Sequence, residues 1–193
     1  MFVPFLIVAT IIIVYVVSIY NDLQKLKTQI VASIQEIGNQ LKRQASLIPN
    51  LQETVKGYLK HEKSIFKMLT DARKAAEKAE KTGNAKDIDA AINQIQAAVP
   101  KLSIAVEDNP EMKADKTVTK FMNELTDTAD KLMYARRSVI DLSQTYNEKL
   151  VVFPSNMIAN MFGFKPEKGL ATALTGSHVE VSTDEMKDVK VQL

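Results

Sequence analysis

"SLIPNLQETVKGYLKHE", residues 46–62, decides how the chain folds. It carries a proline and a glycine inside a long run of helical spacing, and it ends in His61-Glu62. Pro49 disfavours helical backbone at Ile48 and suits the first position of a new helix. Read that way, the stretch is a corner between two helices. The other reading is a metal site. A zincin helix places two histidines four apart around a glutamate. Position 65 is isoleucine, and the second histidine of the chain, His178, lies far away near the carboxyl end. The residues favour the corner, with Gly57 as a close-packing or merely tolerated position on the second helix.

Outward from the corner, apolar residues recur every three to four positions. Before it stand Leu23, Leu26, Ile30, Ile34, Ile37 and Leu41; after it stand Leu51, Val55, Tyr58, Ile65, Leu69 and Ala76. A third stripe is Ile88, Ile92, Ile95, Val99, Leu102 and Val106. A fourth is Val118, Phe121, Leu125, Leu132, Val139, Tyr146 and Leu150. A mean spacing of about 3.5 marks helices packed at shallow angles. The breaks fall between the stripes. Gly83 in "KTGNAKD" stops a helix, and Asn109-Pro110 in "VEDNPEM" stops one and starts the next. Pro100 predicts a kink or a division of the third helix. Pro154 ends the fourth. Short connections make neighbours antiparallel. The expected fold is therefore all-α, an up-down-up-down four-helix bundle over residues 21–153.

Residues 2–20, "FVPFLIVATIIIVYVVSIY", are uncharged and long enough to cross a bilayer of about 30 Å as a helix. No basic residue precedes the run and no small-x-small site ends it, so an uncleaved anchor over residues 1–20 is expected rather than a signal peptide. The anchor is expected to run into the first bundle helix, since "IYNDLQKLK" holds no helix breaker. Lys25 and Lys27 on the far side place the bundle in the cytoplasm and a short amino end outside, in a single-pass protein of the cell membrane.

After Pro154 comes a short apolar segment, residues 154–170. With Phe153, it offers Met157, Ile158, Met161, Phe162 and Phe164 either as a lid on the bundle or as an amphipathic foot on the membrane or a partner. The tail, residues 171–193, is expected to be loose or docked as an extended segment.

The composition narrows the chemistry. A net charge of +2 over 193 residues predicts no strong field for nucleic acid or for acidic lipid. The absence of cysteine excludes disulfides, thiolate metal sites and a cysteine nucleophile. The sequence holds no G-x-S-x-G, no P-loop, no dinucleotide fingerprint and no Glu-x-x-His pair. Neither a cofactor, a metal nor a small-molecule substrate is expected. Glu62 falls in phase with the second stripe and Arg136 with the fourth. A buried charge must be paired, so the two are expected to form a register-fixing ion pair, with Arg73 as an alternative partner for the carboxylate. Alternatively, both heads reach solvent at the stripe edge.

Several segments resemble the LemA family of bacterial membrane proteins, which have an amino-terminal anchor and a helical bundle. They are "YNDL" at 20–23, "QLKRQASLIPNLQETVKGYLKHE" at 40–62, "DAR" at 71–73, "AVEDNPEMKAD" at 105–115 and "YNEKLVVFPSNMIANMFGFKP" at 146–166. The resemblance covers most of the chain from Tyr20 onwards. The chain departs from the family's usual residues at Ile34, Gly38, Gln44, Ala129 and Val139-Ile140. The resemblance implies a membrane-anchored protein whose function is poorly defined. The expected role is non-catalytic: a self-associating scaffold bound to the bilayer through residues 2–20. Another membrane protein is a further expected partner. The alternatives are a regulator that binds a membrane protease or signalling protein, and a metal-binding or hydrolytic enzyme.

Overall fold

The computed structural model of the protein describes residues 2–59 and 62–170. His61 and the expected tail, residues 171–193 with His178, lie outside the described residues. Six α-helices and no strands occur among the described residues. They are α1 (Phe2–Val55), α2 (Lys63–Thr82), α3 (Ala85–Asp108), α4 (Pro110–Ala114), α5 (Lys116–Val151) and α6 (Ser155–Met161).

Helix α1 is 54 residues long, about 81 Å at 1.5 Å per residue. Its first part is bare: Phe2, Phe5, Leu6, Ile11, Ile13 and Val14 have no protein against them. This is the one helix among the described residues that is long and apolar enough to cross a membrane. From Leu23 onward the same helix enters the core without a break.

The corner is not at Pro49, which lies inside α1. Leu47, Ile48, Leu51 and Val55 around it are all buried. Burying such side chains contributes about 1.5–3 kcal/mol each. A helical path keeps all four on the core face, which outweighs the ~3 kcal/mol cost of an interior proline. The helix ends instead at Val55 and the chain turns over residues 56–58, where the Val55 carbonyl accepts from the amides of Tyr58 and Leu59, each at 3.0 Å. Gly57 belongs to this turn, not to the second helix, and a Cβ there would meet nothing within 4 Å. Pro100 does not divide α3, which continues to Asp108 with Leu102 and Val106 buried beyond it.

Several of the remaining ends carry recognisable caps. Gly83 closes α2 in the left-handed region at φ 59°. Asn84 Oδ1 accepts from the amides of Lys86 and Asp87 to start α3. Asn109 Oδ1 does the same for Glu111 and Met112, with Pro110 in the first turn of α4. One break escapes the stripe reading. Asp115 ends the short α4 and caps α5, its Oδ1 accepting from Thr117 at 2.7 Å and Val118 at 3.3 Å. Those bonds hold the Asp115 carboxyl below the usual carboxylate range.

Contacts between α1 and α5, and between the residues just after α1 and just before α5, form a ladder. Asp22 meets Lys149, Gln44 meets Leu125 and Thr128, and Tyr58 meets Asp115. Numbers rise on one helix as they fall on the other. Helices α2 and α3 pack on each other, α2 on α1 and α3 on α5. The main core is aliphatic and runs from Ile37 to Val139, with Leu41, Leu51, Leu69, Ile92 and Leu102 fully buried. A second, smaller cluster holds Leu23, Leu26, Ile30, Tyr146 and Ala159, at the end nearest the bare segment.

Candidate functional site

The expected ion pair between Glu62 and Arg136 does not form. Glu62 is exposed and sits just before α2. Arg136 instead binds Asp89 of α3, Nε to Oδ1 at 3.1 Å, with both side chains half-buried. The ladder gives the reason. Arg136 lies about 35 Å along α1 from the corner that holds Glu62. Helical phase fixes which face a residue occupies but not its height on that face. Arg73 is taken as well, by Glu77 one turn on, at 2.7 Å.

The polar contact that does lie in the core involves Gln44. Its Nε2 donates to the Leu125 carbonyl at 3.0 Å and to Thr128 Oγ1 at 2.7 Å, with both side chains buried. Its Oε1 has no hydrogen-bond partner. At the other end of the α2–α3 hairpin, Asp87 accepts from Lys78 at 2.7 Å and Thr82 at 2.9 Å. These bonds, the Lys78 one first, hold its carboxyl below the usual range. The open groove here is lined by Asp71, Lys74, Lys78 and Asp87. No group of three or more His, Asp or Glu side chains suited to a metal ion occurs among the described residues.

The most distinctive surface lies where α1 leaves its bare segment. Pro154 follows α5, and α6 folds back against the α1–α5 pair. Ala159 is buried there beside Leu23 and Tyr146. The following strap is clamped. The Tyr146 hydroxyl donates to the Lys165 carbonyl at 3.1 Å. Asn147 Nδ2 donates to the Glu167 carbonyl at 2.7 Å, and Asn147 Oδ1 accepts from the Glu167 amide at 2.9 Å. Burial, and secondarily the charge of Glu167, pushes the Tyr146 hydroxyl above its ordinary pKa. Gly169 takes φ 60° in contact with Ser143, where a Cβ would come within 3.2 Å. Leu170 then enters the main core.

The six apolar residues of this segment divide between two sides. Phe164 packs against Tyr146 and Tyr20, at ring-centroid distances of 6.5 and 5.6 Å, and Ile158 is partly buried. Phe153, Met157, Met161 and Phe162 are exposed. Phe162 nevertheless meets Tyr20, at the end of the bare run, at 4.9 Å.

A model of the LemA family matches residues 33–183. The chain belongs to the LemA family. No curated protein matches it. In this LemA-family chain the matched region opens within α1, beyond the bare apolar segment, and takes in the main core, α6 and the strap. Gln44, within the matched region, is the buried side chain that ties α1 to α5.

Proposed function

We propose that this protein is a non-catalytic scaffold held in the cell membrane by residues 2–20. Its body would be an antiparallel up-down-up-down four-helix bundle that self-associates on the membrane. The observation that carries the reading is the continuity of α1. One helix passes from a bare apolar segment into a buried core with no linker between them. A chain built so holds its body at a fixed angle to the anchor. Confinement to a surface raises the effective concentration of copies, so weak lateral contacts suffice for assembly. Val31 and Ile34 on α1 and Tyr134 on α5 are exposed apolar side chains available for them.

Orientation follows from charge. Lys25 and Lys27 follow the apolar run, and the fold brings Lys149, Lys165 and Lys168 to the same end. The positive-inside tendency then puts the bundle in the cytoplasm.

Two measurements test this. Alkaline extraction should leave the full-length chain in the membrane pellet; release into the supernatant defeats the anchor. Crosslinking in native membrane should give a ladder of multiples of the chain mass. A strictly monomeric pattern removes the scaffold reading. A single band with a different membrane protein replaces it with that of a regulator of a protease or signalling protein.

A further inference from the structure

We propose that α6 is a second membrane contact. Phe153, Met157, Met161 and Phe162 would enter the boundary between headgroups and acyl chains, in the leaflet that α1 leaves. The proposal rests on the reading of residues 2–20 as a bilayer span.

Three observations place this surface at the bilayer. The ladder between α1 and α5 reaches Asp22 and Lys149 at 2.7 Å. Continued by one turn, it brings Val151–Phe153 level with Ser18–Tyr20, the end of the uncharged run. The ring contact between Phe162 and Tyr20 at 4.9 Å joins α6 to that same level, so the two apolar surfaces are continuous. The faces of α6 are also divided. Met157 and Met161, four residues apart, share the exposed side, while Ala159 between them points the other way and is buried. The occupant is therefore lipid, the medium already bounding the adjoining face of α1. Exposed Lys165 and Lys168 follow directly in the strap, suited to the headgroup layer. An amphipathic segment of this kind sits about 5–10 Å into the boundary region.

The chain contains no tryptophan, so one substitution supplies the only such fluorophore. Three full-length variants, Met157→Trp, Val8→Trp and Tyr134→Trp, are reconstituted in phosphatidylcholine–phosphatidylglycerol vesicles. Some vesicles carry a quencher near the headgroup and others carry it deep in the acyl chain. Retained helical circular dichroism qualifies each variant. Met157→Trp should emit to the blue and be quenched by the shallow label. Val8→Trp should be quenched by the deep label, and Tyr134→Trp by neither. Deep quenching of Val8→Trp with an unquenched Met157→Trp overturns the foot alone. Blue-shifted emission from Met157→Trp without lipid quenching also overturns it, and shows protein covering α6. An unquenched Val8→Trp overturns the anchor itself, and the foot with it.

Discussion

The two ends of the body are held together differently. The end far from the bare segment buries a continuous aliphatic core between α1, α2, α3 and α5. The near end has only α1 and α5 as long helices, and five buried residues make its cluster. It compensates with directional contacts: the Tyr146 and Asn147 bonds to the strap, the Lys149–Asp22 pair and the rings around Phe164. Aliphatic packing is tolerant of local irregularity, which is how Pro49 and Pro100 persist inside helices. Hydrogen-bonded clamps are not tolerant; they depend on single atoms.

The largest test of that contrast is Leu51→Ala in the far core. It should cost about 2–5 kcal/mol in urea unfolding, as for other buried leucines. Its counterpart, Leu23→Ala, should raise amide exchange in α5 beyond residue 142 and leave α2 and α3 protected. Equal loss of protection at both ends would show that the two form one cooperative unit.

Tyr146→Phe removes one hydroxyl and should cost about 1 kcal/mol. Trypsin should then cut faster after Lys168, with the far core unaffected. Unchanged cleavage would mean that the clamp does not hold the strap.

A double-mutant cycle on Arg136→Met and Asp89→Asn should give a coupling of about 0.5–1 kcal/mol, since the pair is only half-buried. The same cycle with Glu62→Gln should be additive.

The smallest expected effect is in pH. The Asp87 carboxyl is held low by its bonds to Lys78 and Thr82. A carboxyl whose folded pKa is lowered adds stability above its unfolded value of about 3.9 and loses it as pH falls through the folded value. Thermal melts should therefore show a steeper acid loss below pH 4 for the parent protein than for Asp87→Asn.

Much of the helical face pattern is legible in sequence. Leu51, Ile65, Leu69, Ile92, Leu102, Leu125 and Val139 were all on the stripes and all are buried. Periodicity reports the direction in which a side chain points. It carries no information on height along an axis, which separates Arg136 from the corner; Glu62 fails also because it precedes α2 and lies on no helical stripe. The Pro49 corner fails for another: local propensity is worth a few kcal/mol, and four flanking core residues exceed it. Asp115 was missed because a five-residue helix has too few turns to make a stripe, although an aspartate two residues before a threonine amide is a legible cap. The Gln44–Thr128 contact leaves no sequence signal, because both residues are common on solvent faces. In the apolar segment, the composition of α6 was plain. The division of its faces required the position of Tyr20.

The unbroken course of α1 has a mechanical consequence. From Tyr20 to Val55 the helix is an arm of about 53 Å. Transmembrane helices tilt by about 20° on average and change tilt with bilayer thickness. A change of about 10° would swing the far corner sideways by about 9 Å at that radius. On the proposed reading of residues 2–20 as a bilayer span, such a molecule would amplify small differences in bilayer thickness into displacements close to a helix diameter, and α6 beside the pivot would act as its brake.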